Sequence, residues 1–212
     1  MIFDSSEKET GAVRIAVLAS GRGSNFDALC RGDTGNGRVS LLISDNKEAE
    51  VLRKASALGV EALYISPGKY RTRFGEQEEA EWVRVMNDRK IGLVCLAGLM
   101  RILKGPILDE YSGRIINIHP SLLPSFPGLH AQKQALDYGV RITGCTVHCV
   151  DAGVDTGQII LQKAVQVRDD DTVETLSDRI LKQEHQVYSE AVKLLCGGVP
   201  DADGRHKFTG GT

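Results

Sequence analysis

The chain has 212 residues, 42% hydrophobic and 25% charged, which supplies a core and excludes fibrous, collagen-like and disordered classes. With 26 Lys and Arg against 28 Asp and Glu the net charge is -2, so no global field draws it to nucleic acid or to anionic lipid, and an anion site has to be local. At roughly 150 residues per domain, the expectation is a single domain over 1–212. Five cysteines (Cys30, Cys95, Cys145, Cys149 and Cys196), odd in number and without a Cys-x-x-Cys pair, fit a reducing compartment. The polar, partly acidic start MIFDSSEKETG lacks the basic and apolar regions of a signal peptide. Residues 1–11 read as a loose leader, and no run approaches the ~18 apolar residues of a membrane span. A cytoplasmic protein without membrane or nucleic-acid partners is expected.

The first element, Val13 to Ala19 (VRIAVLA), is a continuous apolar run ending at a glycine-containing loop, as in a parallel strand covered on both faces. The pattern repeats. Val39 to Ser44 precedes a helical stretch from Lys47 to Leu58, Val60 to Ile65 precedes one from Glu76 to Arg89, and Ile91 to Ala97 ends at Gly98. Strands alternating with helices predict right-handed crossovers and an open, mostly parallel twisted sheet with helices on both faces, an α/β fold. Arg114 to Ile118 leads into HPSLLPSFPG, whose prolines rule out a regular helix or central strand. A short helix follows near Ala131 to Tyr138. Ile142 to Val150 and Gln158 to Val167, joined by DAGVDTG, read as a hairpin that adds antiparallel strands in the C-terminal half. Asp171 or Thr172 caps a last helix reaching Leu195, and residues 197–212 read as a mobile tail.

Chemistry concentrates at the loops after the strands, where open α/β sheets bind ligands. Ser20 to Asn25 (SGRGSN) opens the first helix, and its backbone N–H groups suit a phosphate. A dinucleotide fingerprint is the competing reading: it needs glycine where Phe26 stands, although Asp45 lies near the distance of a ribose-binding acid. Asn117 and His119, two apart at a strand end, project to one face, an amide donor beside an imidazole suited to a carbonyl. A plain loop-satisfying pair is the alternative. Asp155, in the DAGVDTG turn, can orient His119 if the fold brings them together, or can be an ordinary turn residue. Glu184 occupies a core-facing slot in the stripe Val173, Leu176, Ile180, Val187, Ala191, Leu194 and needs either a structural partner or a substrate group. Neither Cys95 nor Ser121 has the surroundings of a nucleophile, and no metal is expected: Cys145 and Cys149 lie on the opposite strand face from His148.

SGRGSN after the first strand, AGLMRIL at 97–103, INIHPSLLPSFPGLHA at 116–131 and HCVDAGVDTGQIILQ at 148–162 together resemble the phosphoribosylglycinamide formyltransferases, folate-dependent enzymes of purine synthesis, in the family's order and over nearly all of residues 13–196. The resemblance implies a Rossmann-like formyltransferase fold and transfer of a formyl group from 10-formyltetrahydrofolate, as cosubstrate, to the amine of glycinamide ribonucleotide, by a monomer or homodimer. It further implies catalysis by Asn117, His119 and Asp155, phosphate binding by Gly23, Ser24 and Asn25, and ribonucleotide binding by Glu184. The folate pocket would be lined by Met100, Arg101, Ile102 and Leu103 beside Asn117. An upstream Arg is also expected at the folate; Arg73, in a stretch YRTRFGEQ that departs from the family's spacing, is the nearest candidate. Formyltetrahydrofolate deformylases and methionyl-tRNA formyltransferases share the HPSLLP-type loop and remain the alternatives, with an NAD-linked oxidoreductase or a non-catalytic nucleotide-binding module further off.

Overall fold

The computed structural model describes residues 12–197. The leader expected over 1–11 and the tail expected after Gly197 lie outside the described residues. In chain order the elements are β1 (Val13–Leu18), α1 (Ser24–Arg31), β2 (Gly37–Ser44), α2 (Glu50–Ala57), β3 (Glu61–Tyr64), α3 (Glu76–Asp88) and β4 (Leu93–Leu96). These are followed by α4 (Pro106–Glu110), β5 (Ile115–His119), α5 (Ala131–Tyr138), β6 (Ile142–Cys149), β7 (Ile159–Gln166) and α6 (Val173–Gly197). They build one seven-stranded sheet in the order β3-β2-β1-β4-β5-β6-β7. The strands β3 to β5 across the sheet pair parallel, while β6 runs antiparallel to β5 and β7 antiparallel to β6. Among the described residues no helix is long and apolar enough to cross a membrane.

The continuous apolar run of β1 follows from cover on both faces. Ile15 and Val17 belong to one apolar cluster with Phe26, Val51, Ile180 and Val187, contributed by α1, α2 and α6. Ala16 and Leu18 point the other way, against Trp82 and Met86 of α3 and Ile107 of α4. The expected alternation of strand and helix therefore produces the layers it implies, since successive strand residues serve opposite cores.

Connectivity reverses at β1. The chain first steps outward from β1 to β2 and β3, then crosses back to β4 on the other flank of β1. The helices α1 and α4 that follow β1 and β4 consequently lie on opposite faces of the sheet, and the carboxyl edge at such a switch point is where these sheets bind ligands.

Besides shifts of one or two residues at several element ends, one helix start and one short helix differ from the sequence expectation. The second helix begins at Glu50, not Lys47, because Asn46 forms a turn of its own: its Oδ1 accepts the Glu48 N–H (3.1 Å) and its carbonyl the Ala49 N–H (3.1 Å). Five-residue α4 is too short to show a helical period, and Pro106 at its start is its main local signature. At the last helix the Thr172 hydroxyl accepts the Thr175 N–H (3.3 Å) and the Thr175 hydroxyl accepts the Thr172 N–H (3.0 Å), a reciprocal cap where one was expected.

Candidate active site

The loop after β1 is shaped by Gly23, which has φ 72°, a left-handed conformation that favours glycine. A Cβ there would stand 2.3 Å from Cγ2 of Val51, so α2 can pack this closely only against a glycine. The first bond of α1 runs from the Asp27 N–H to the Gly23 carbonyl (3.0 Å). The N–H groups of Ser24 and Asn25 precede it and have no acceptor within the helix, the arrangement that suits a phosphate. Asn25 also uses its side chain: Nδ2 donates to Oε2 of Glu184 at 2.8 Å, while its buried Oδ1 has no partner among the described residues. Glu184 is 7% exposed. Burial raises its carboxyl above the ordinary range, and the Asn25 hydrogen bond offsets this only in part. The two residues, 159 positions apart, thus form one polar spot between α1 and α6.

Asn117 and His119 stand at the end of β5, where β6 pairs Asn117 with His148 and His119 with Thr146. The His119 Nε2 lies 2.9 Å from the Phe126 carbonyl, and its Nδ1 lies 3.3 Å from Oδ2 of Asp155. A carbonyl only accepts, so Nε2 carries a hydrogen, and Nδ1 faces the carboxylate. Asp155 has φ 55°, uncommon for a non-glycine residue, and its Oδ2 also accepts the Gly128 N–H at 2.7 Å. Burial would raise its carboxyl. The bond from His148, the Gly128 N–H and the charges of His119 and His148 outweigh that and hold it below the ordinary carboxylate value.

His148, which sequence reasoning considered only as a metal ligand, completes this group. Its Nδ1 bonds the Cys149 carbonyl (2.9 Å), and its Nε2 lies 3.2 Å from the Asn117 amide nitrogen and 3.5 Å from Oδ1 of Asp155. The missing signal is the β5–β6 register, which sets His148 opposite Asn117 and is a tertiary fact. Among the described residues no group of three or more His, Cys, Asp or Glu is placed to hold a metal ion. All five thiols are free, and burial pushes Cys30 up to about 11 and Cys145 up to about 12.

The proline-rich loop that supplies Phe126 and Gly128 is pinned from β6 and contains a cis Leu123–Pro124 bond. The Thr146 hydroxyl donates to the Ser121 carbonyl (2.7 Å) and accepts the Leu123 N–H (3.0 Å) and an N–H of Gln162 (2.9 Å), which uses its full capacity.

Beside Asn117 opens a cleft of about 120 Å³ whose lining includes Leu96, Arg101, Ile102, Leu103 and Val150. Three of the four residues matched to the folate pocket therefore meet Asn117. Met100 does not join the lining: it is 67% exposed, and its N–H donates to the Ser20 hydroxyl at 2.9 Å. Arg73 forms a single parallel bridge with Ile102, and its guanidinium lies 3.8 Å from the Tyr70 ring centroid. It is thus at the edge of the cleft wall, outside the lining. The dinucleotide reading loses its residues here, because Phe26 is fully buried in the core and Asp45 is taken by Arg101 (2.8 Å).

The fold and this convergence define a class. A model of the formyl transferase family matches residues 13–192, and the chain belongs to that family. Among individual proteins, it is 42% identical over 188 residues to the phosphoribosylglycinamide formyltransferase of Bacillus subtilis, covering 87% of this chain and 95% of that one. It is 44% identical to the trifunctional purine biosynthetic protein adenosine-3 of Gallus gallus, covering 90% of this chain but 19% of that protein, so it spans about a fifth of that relative's length. The crystal structure of glycinamide ribonucleotide transformylase 1 from Symbiobacterium toebii superposes with a TM-score of 0.85 at 45% identity, covering 96% of this chain and 99% of that one.

Proposed function

We propose that this protein transfers the formyl group of 10-formyltetrahydrofolate to the amine of glycinamide ribonucleotide, releasing tetrahydrofolate, as a soluble enzyme of the cytoplasm. The observation that carries the proposal is the group Asn117, His119 and Asp155, of which Asn117 lines a cleft walled by Arg101, Ile102 and Leu103, together with Asn25 and Glu184 joined at the start of α1.

In this reading the phosphate is held by the N–H groups of Ser24 and Asn25, and Glu184 takes a polar group of the ribonucleotide. The amine is thereby brought to the formyl carbon, and a bimolecular encounter becomes an oriented one. A bond forms from the amine nitrogen to the formyl carbon, the bond to the folate nitrogen breaks, and a proton passes in net from the amine to that nitrogen. The charge that grows on the formyl oxygen is met by the Asn117 amide and the His119 ring N–H. Asp155, facing Nδ1, keeps the ring oriented. Both His119 nitrogens face acceptors, so contact with the formyl oxygen requires one of those contacts to yield. The neutral Phe126 carbonyl is the weaker acceptor and the one to be exchanged.

Steady-state assay of tetrahydrofolate release tests the proposal. Release that depends on glycinamide ribonucleotide and matches the formylated product supports it. Release at the same rate with water alone would make the protein a deformylase.

A further inference from the structure

Asp45 has no place in the chemistry above, yet it is a buried charge at the end of β2, 8% exposed, within the site's framework. Its Oδ2 accepts the Arg101 Nε–H at 2.8 Å, while its buried Oδ1 has no partner among the described residues. Arg101 also donates to the Tyr70 carbonyl. Because β1 lies between β2 and β4 in the sheet, this ion pair reaches across the end of β1, from the strand on one flank to the cleft wall that follows the strand on the other. Neighbouring contacts run the same way. Asn46 donates to the Ser20 carbonyl (3.2 Å), and the Ser20 hydroxyl accepts the Met100 N–H (2.9 Å). A buried ion pair with an orphaned oxygen is poor value as a stabiliser, since an apolar pair of similar volume serves as well or better. What it supplies is direction: the guanidinium is fixed by two acceptors on different segments, and Ile102 and Leu103 follow from it.

We propose that Asp45 is a positioning residue for the formyl-donor side of the site, acting through Arg101 to set the wall that faces Asn117. This rests on the reading of that cleft as the folate pocket. The charge of Arg101 is thereby spent inside the protein, so the donor meets a fixed wall and not a free cation.

Kinetics of the full chain carrying Asp45→Ala, Asp45→Asn, Arg101→Ala and the Asp45→Ala/Arg101→Ala pair test this. The expected result for Asp45→Ala is a rise of about tenfold in KM for 10-formyltetrahydrofolate, the equivalent of one charge-assisted hydrogen bond. The ribonucleotide KM and kcat should stay within about twofold. Asn, whose carbonyl oxygen can accept the same Nε–H, should restore most of the loss. In the Arg101→Ala background, Asp45→Ala should add nothing, because the two residues act as one unit. A donor KM unchanged in Asp45→Ala, a parallel rise in both KM values, or additive effects in the pair would overturn the proposal. Should Asp45→Ala fail to fold, tetrahydrofolate binding by Arg101→Lys decides: weakened binding with unaltered ribonucleotide affinity supports it, and unaltered folate affinity overturns it. A wild-type protein inactive toward glycinamide ribonucleotide would instead remove the functional reading, an outcome distinct from an active enzyme indifferent to Asp45.

Discussion

Glu184 shows how a single residue can be kept at odds with stability. Its carboxyl is raised by burial, so the folded protein binds its proton more tightly than the unfolded chain does. Stability from this group is therefore present below the ordinary Glu value and is lost as pH rises through the raised one, at about 1.4 kcal/mol per pH unit across that window. Glu184→Gln removes the cost and keeps an oxygen for the Asn25 amide. We expect its Tm to exceed wild type at alkaline pH and the gap to close toward acid, while ribonucleotide binding weakens; calorimetric melts at several pH values together with titration of the ribonucleotide check both. A Tm gap independent of pH would mean that Glu184 does not titrate in this way. Asp155 has the opposite sign. Its carboxyl is depressed, so its contribution is present above the ordinary Asp range and is lost only as pH falls through the lower value. Asp155→Asn should leave the His119 ring without its carboxylate partner, and formyl transfer should slow while both substrate affinities stay close to wild type. A transfer rate equal to wild type in the folded variant would separate Asp155 from His119.

At the scale of elements, the join between α1 and α2 is the most constrained. Gly23→Ala pays for a left-handed backbone, roughly 1–2 kcal/mol, and for a clash with Val51, roughly 1–3 kcal/mol of overpacking. Denaturant unfolding should show a loss of about 2–5 kcal/mol, and the ribonucleotide KM should rise because the N–H groups of Ser24 and Asn25 move with the helix start. Adding Val51→Ala should recover the clash but not the backbone part; full recovery would remove the conformational argument. This constraint was only half legible. The sequence displays the glycines of the loop and its place before a helix, but not Val51 packed against Gly23. Likewise β1, β5 and α5 are readable because each is a run with one period and a clear stop at glycine or proline. Helix α4 is not, since five residues carry no period, and the start of α2 is misplaced because Asn46 prefers its own turn.

Over the whole molecule, what the sequence hides is register. Asn117 and His119 share a face by simple alternation, but His148 joins them only through the pairing of β5 with β6, and Asp155 only through the loop that leaves β6. The resemblance to a family implies a role for Asp155, where the residue by itself reads equally as an ordinary turn. Asp45 shows the reverse case: its spacing suggested a ribose acid, and the fold turns it onto Arg101 across the sheet. The parallel strands bring the loops after β1, β4 and β5 to one edge, and the loop after antiparallel β6 sets Asp155 against His119 there; in the proposed function the reaction depends on charge placed there in advance.

Single-turnover chemistry of His119→Ala tests that dependence most directly. With enzyme, 10-formyltetrahydrofolate and glycinamide ribonucleotide in a saturated ternary complex, binding no longer limits the rate and only formyl transfer is read. The account predicts a rate about 100- to 1,000-fold below wild type, the usual cost of losing one preorganised donor, with both dissociation constants close to wild type. Formyl transfer at the wild-type rate in the folded variant would contradict it.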